Sequence, residues 1–204
     1  MCVLTNMDEP LGYAVGNNLE VIEAINFLKG IMPEDLKQVV LELGAYMVKL
    51  AGKGENIEEN KRILLENIQN KKAYNKFLEL VKNQDGDISY LEQTEKFSKA
   101  KFIEPVYSET KGYIQKIDAE KVGRLSCYLG AGRINKEDNI DDTVGIILSK
   151  KVSDYVEIGD IICYVHANDE IKMKEVKEKL QEIIVINEEK VQKPCTILEI
   201  IKNH

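Results

Sequence analysis

The stretch from Met7 to Val21 restricts the backbone more closely than any other part of this chain. Pro10 fixes its own φ and drives Glu9 toward an extended conformation, while Gly12 and Gly16 permit conformations or close approaches that a Cβ would block. A tight loop follows from that. Asn17 reads as an N-cap with Glu20 completing a capping box, and Leu19, Ile22, Ile25 and Leu28 recur at helical spacing until Gly30 ends the run. Cys2-Val3-Leu4 ahead of the loop is strand-like. The order is therefore strand, loop, helix.

The first half of the chain continues as helix. Pro33 sits where a first-turn proline is tolerated, Glu34 and Asp35 favour the positive end of the helix dipole, and Leu36, Val39, Val40, Leu43, Met47 and Leu50 form an apolar stripe. Gly52 and Gly54 stop it. Two more amphipathic segments follow, one with Ile57, Leu64 and Ile68 and the other with Phe77, Leu78 and Val81, before the turn-rich Gln84-Asp85-Gly86-Asp87. From about Phe102 the pattern changes to short strands around Val106, Gly112 to Ile117 and Val144 to Leu148, with a short helix over residues 119–129. Residues 152–165 alternate apolar residues around Gly159-Asp160, residues 169–181 read as a charged helix, and Ile183 to Ile186 as a final strand. The pattern predicts a helical part over residues 1–98 and an α+β domain over residues 99–204.

At 204 residues and 44% hydrophobic content the chain can bury one or two cores. A net charge of −7 argues against a general nucleic-acid binder, which needs a surplus of Lys and Arg on one face. Cys2, Cys127, Cys163 and Cys195 are scattered, with two histidines in the chain, so the spacing does not suggest zinc. Free thiols and a cytoplasmic location are the default expectation. Nothing approaches the roughly 18 consecutive apolar residues of a membrane span.

The Met7 to Val21 segment closely resembles the M-D-x-P-L-G-x-A-V-G-N-A-L-E-V pattern of the pyrimidine-nucleoside phosphorylases, which include the thymidine phosphorylases. Four later motifs resemble that family's C-terminal domain in order: Lys111-Gly112-Tyr113-Ile114, Leu129-Gly130-Ala131-Gly132-Arg133, Asp141-Asp142-Thr143-Val144-Gly145 and Val156-Glu157-Ile158-Gly159-Asp160. The resemblance implies an α/β parent enzyme of which this chain is the C-terminal half. Residues 1–98 would then be the C-terminal, mostly helical part of the large domain, and residues 99–204 the C-terminal α+β domain with a hammerhead-like strand arrangement. The implied reaction is phosphorolysis of a pyrimidine nucleoside by inorganic phosphate, giving the free base and a pentose 1-phosphate, in a homodimeric cytoplasmic enzyme. The resemblance implies that the family's phosphate- and base-binding side chains lie upstream of Met1, so none maps onto this chain, and the chain alone is expected to be inactive.

One functional element of the family does carry over. The resemblance implies a structural potassium ion held by the backbone carbonyls of Leu11 and Ala14 and the carboxylate of Glu23, completed by oxygens from an upstream loop; several partial charges would replace the ion's water shell. Glu23 reads equally as an exposed helix carboxylate. Arg133 is a candidate substrate contact, with loop solvation as the plainer alternative, and His166 reads as structural. Two other functions remain open: a non-catalytic subunit that complements a separate N-terminal half, and a biotinyl or lipoyl carrier module. For the carrier reading, Lys172 falls in a helical charge pattern rather than at a hairpin tip. The opening strand is expected to have an unpaired edge and the helices exposed apolar faces, which points to self-association or a partner.

Overall fold

The structure, a computed structural model, describes residues 1–133 and 135–202. The chain forms two compact units that interleave in sequence. One comprises Met1–Asn6, Ile22–Lys96 and the described residues from Cys195 onward; the other comprises Met7–Val21 and Phe97–Pro194. The division thus differs from a single cut after residue 98. Its physical basis is that the 7–21 loop hydrogen-bonds to residues of the later unit, whereas the C-terminal strand pairs with the first.

In the helical unit, β1 (Cys2–Thr5) pairs antiparallel with β9 (Ile197–Ile201), Cys2 opposite Ile201. This last strand lies beyond Ile186, where the sequence pattern ended, and it covers one edge of β1. Its identity as a strand depends on a partner almost 200 residues away. The helices are α1 (Asn17–Leu28), whose first residues belong to the other unit, α2 (Glu34–Leu50), α3 (Ile57–Gln69), α4 (Lys72–Asn83) and the short α5 (Ser89–Glu92). Asn56 caps α3 by accepting the Glu59 amide at 3.1 Å.

The buried face of α2 is not the whole predicted stripe. Ala45 and Tyr46 are buried, while Met47 and Leu50 are 66% and 73% exposed. Small residues decide this: a Cβ on Gly44 would lie 2.8 Å from a Leu64 methyl, so α3 approaches α2 along the Gly44–Ala45 side. Asn60, 2% exposed, completes the contact by donating to the carbonyls of Ala45 at 3.1 Å and Gly54 at 2.9 Å. A buried amide so placed is satisfied rather than costly.

The second unit contains β2 (Ala14–Val15), β3 (Phe102–Tyr107), β4 (Gly112–Ile117), α6 (Ala119–Ser126), β5 (Gly145–Leu148), β6 (Tyr155–Val156), β7 (Ile161–Ala167), α7 (Glu170–Ile183) and β8 (Ile184–Asn187). One sheet has the order β2-β5-β7-β3 and the other β6-β4-β8, with all neighbours antiparallel. Both α6 and α7 are capped by aspartates, Asp118 and Asp169. Between the sheets and these helices lies one core, with Val106, Ile114, Ile117, Val122, Val144, Ile146, Val156, Val165, Val176 and Leu180 almost wholly buried. Helix mixed with antiparallel sheet agrees with the α+β expectation.

Candidate functional site

The Pro10 to Gly16 loop is held from below by residues more than a hundred positions away. Gly12 has φ +68, a left-handed conformation that glycine adopts without strain. The ammonium of Lys151, in the turn between β5 and β6, donates to the carbonyl oxygens of Pro10 and, at 2.9 Å, Gly12. It also lies 3.7 Å from the Glu9 carboxylate and 5.8 Å from the centre of the Tyr13 ring. The same carboxylate accepts the Val152 amide at 3.1 Å. Further up the loop, Tyr13 accepts the Leu148 amide at 2.8 Å, and Asp8 accepts that of Ala119 at 3.1 Å. The loop is anchored through oxygens of Asp8, Glu9, Pro10, Gly12 and Tyr13.

Where the loop becomes helix, two glycines cross. A Cβ on Gly16 would stand 2.6 Å from the Val144 oxygen, and one on Gly145 would stand 2.4 Å from the Val15 oxygen. The helix start differs from the expected capping box. Asn17 sends its side-chain nitrogen to the Ala131 carbonyl at 2.8 Å, while Glu20 accepts from the amide of Gly16 at 3.1 Å. The amide of Asn18 reaches the Asp142 carbonyl at 3.0 Å. The opening of α1 is thereby tied to the glycine loop and to the Asp141–Gly145 motif.

That motif has its own network. After α6 the chain continues through a π-helical turn at Cys127–Ala131 in which Gly130 has φ +123. Asp141 returns to it, its amide bonding the Gly130 carbonyl at 2.9 Å. Its carboxylate accepts the hydroxyl and amide of Thr143 and the side-chain amide of Asn168. Burial pushes the Asp141 carboxyl up, but these hydrogen bonds outweigh it and hold the group below the ordinary carboxylate range. Because the folded state has the lower value, the stabilisation is present above the unfolded carboxylate range. It is lost as pH falls through the folded value. Thermal unfolding of the wild type and Asp141→Asn should therefore differ at neutral pH, and the difference should shrink as the pH is lowered past about 4 toward the folded value.

Leu11 is 42% exposed on the loop and Ala14 is buried at the start of β2, both in the second unit, whereas Glu23 is half-buried on the part of α1 that belongs to the helical unit. Arg133 is exposed at the end of the glycine loop. His166 lies on β7 opposite Ile103 and Gly145, and burial lowers its pKa. Lys172 lies within α7, with its ammonium over the Tyr128 ring. No three His, Cys, Asp or Glu side chains cluster as metal ligands among the described residues. Lys151 escaped sequence reasoning. It is the second of a lysine pair in a polar turn, and nothing local distinguishes it from its neighbour Lys150.

Residues 113–187, which contain the glycine loop, the Asp141 network and, save Gly112, both sheets' central strands, match the family model of the pyrimidine nucleoside phosphorylase C-terminal domain. Pyrimidine-nucleoside phosphorylases of Staphylococcus aureus strains USA300, NCTC 8325 and COL are each 40% identical to this chain over 201 residues, 98% of its length. The chain belongs with the C-terminal part of the pyrimidine-nucleoside phosphorylases. It spans about half the length of these relatives, the match covering 46% of each. The family likeness extends beyond the matched domain to the Pro10–Gly16 loop and helices α1 to α4, since only a few residues of the chain lie outside the alignment. No helix among the described residues is long and apolar enough to cross a membrane.

Proposed function

We propose that this chain provides the C-terminal portion of a pyrimidine-nucleoside phosphorylase, which converts a pyrimidine nucleoside and phosphate into the free base and a pentose 1-phosphate. The observation that carries the reading is the 40% identity to pyrimidine-nucleoside phosphorylases over 98% of the chain. Residues 1–98 would form the end of the large domain and residues 99–204 the C-terminal domain. Catalysis of this kind rests on orienting the phosphate and meeting the charge that grows on the departing base. In the family those groups are expected from segments upstream of the stretch matched here, so residues 1–204 by themselves would be inactive and an N-terminal half would have to supply them.

Leu11 and Ala14, through their carbonyls, and Glu23 would hold a structural potassium ion, and Arg133 would approach the substrate side. The well-anchored loop supports the first assignment, because a weakly held ion needs donors that are already in position. An apolar groove of about 400 Å³ lined by Phe27, Leu41, Gly44 and Leu64, and the separately exposed Met47, Leu50 and Leu80, support a partner for the helical unit. The placement of Lys172 within a helix disfavours the carrier alternative.

The test is phosphate-dependent release of uracil from uridine, or thymine from thymidine, in potassium buffer. Purified chain would be assayed alone and mixed with an N-terminal half made from one of the S. aureus relatives. Release is expected only in the mixture. Release by the chain alone would refute the assignment of the catalytic groups to the N-terminal half, and a silent mixture of two folded halves would refute complementation.

A further inference from the structure

The surroundings of Lys151 are those of a cation site rather than of an ordinary surface lysine. Its side chain is 9% exposed and that of Glu9 15%. Taking an ammonium that far out of water costs several kcal/mol unless its donors and charge are met. Here they are met by two backbone carbonyls, a carboxylate and an aromatic face: Pro10, Gly12, Glu9 and Tyr13. Hard oxygens, a carboxylate among them, suit a monovalent cation, and the ring face adds to it. The oxygens come from one end of the unit and the cation from the other, across 139 to 141 positions of sequence.

From this geometry we propose that the Glu9–Tyr13 loop is a monovalent-cation site whose resident ion is the covalently supplied ammonium of Lys151. Tethering makes occupancy independent of the ionic composition of the medium, because the effective concentration of the ammonium at the cage is set by the fold. The same contact locks the N-terminal loop onto the turn between β5 and β6. This assignment does not rest on the nucleoside chemistry, and it uses the carbonyls on either side of Leu11 rather than that of Leu11 itself.

If the cage is a cation site, removing the tether while leaving the cage should create a site for a free primary ammonium. Lys151→Ala deletes the equivalent of propylammonium. Amide hydrogen exchange would be followed at Ala119, Leu148 and Val152, which donate to the loop, with Ser108, bonded to Asp160, as the internal control. In Lys151→Met, which keeps the apolar stem and loses the charge, exchange at the three loop-bonded amides should rise roughly tenfold or more while Ser108 stays unchanged. Lys151→Ala should show the same rise, reversed by propylammonium chloride and not by tetramethylammonium chloride at equal ionic strength. Unchanged exchange in Lys151→Met overturns the proposal. So does a Lys151→Ala defect, including failure to fold, on which the two salts act alike.

Discussion

Gly145→Ala is expected to cost about 3–5 kcal/mol, enough to unfold much of the second unit at ordinary temperatures. The new methyl would stand 2.4 Å from the Val15 carbonyl oxygen and 2.9 Å from a Leu19 methyl. The first of these is backbone and cannot turn aside. Gly145 also has φ +151, a conformation that side chains rarely adopt, so strain adds to collision. Its partner across the gap, Gly16, meets the Val144 oxygen in the same way, and relieving one contact would press on the other. The consequence should be specific: β2 would separate from β5, releasing the loop that carries Leu11 and Ala14. Gly123→Ala is the control, since nothing lies within 4 Å of its new methyl and it sits within α6. There the substitution should be neutral or stabilise by about 0.5–1 kcal/mol. Urea titration of the three proteins separates these outcomes, and equal midpoints for Gly145→Ala and Gly123→Ala would remove the crossing from the account.

Leu180→Ala is the second large effect, with a loss of about 2–5 kcal/mol. Leu180 is fully buried on the inner face of α7, in the same core as Val106, Ile114 and Val176. Deleting three carbons there removes transfer free energy and leaves a cavity that the surrounding strands fill only partly. On the same helix Ile171 is 70% exposed, and Ile171→Ala should change stability by no more than about 0.5 kcal/mol. Thermal and urea unfolding of the pair measures how much of the second unit depends on the seam between α7 and the sheets. Similar losses at both positions would mean that helix propensity, rather than burial, governs α7.

Much of the secondary structure was legible in advance, for a physical reason that differs between elements. The loop at Pro10–Gly12 is constrained by covalent geometry alone, so its neighbours in sequence suffice. Helices α3 and α4 announce themselves through apolar residues a turn apart and α7 through its charge pattern, while the caps at Asn56 and Asp169 emerged only with the structure. The stripe on α2 was only half informative. Periodicity reports which residues share a face, but Gly44 and Ala45 determine which face a neighbouring helix can reach. The family motifs marked the loop, the glycine turn and the Asp141 motif one by one but assigned the loop to the first part of the chain, and only the fold joins them through Asn17 and Asn18.

The amino-acid sequence by itself determined the local conformations, the mixed helical and α+β character and the kinship with pyrimidine-nucleoside phosphorylases, because each rests on residues within a turn or a motif of one another. Only the tertiary structure decided that β9 pairs with β1, that Asn17 serves the Ala131 carbonyl instead of capping its own helix, and that Lys151 is the cation of a loop 141 positions before it. A lysine in a polar turn carries no local mark of burial. Its role arises when folding brings an array of oxygens to the end of its side chain and removes the water that would otherwise have solvated both.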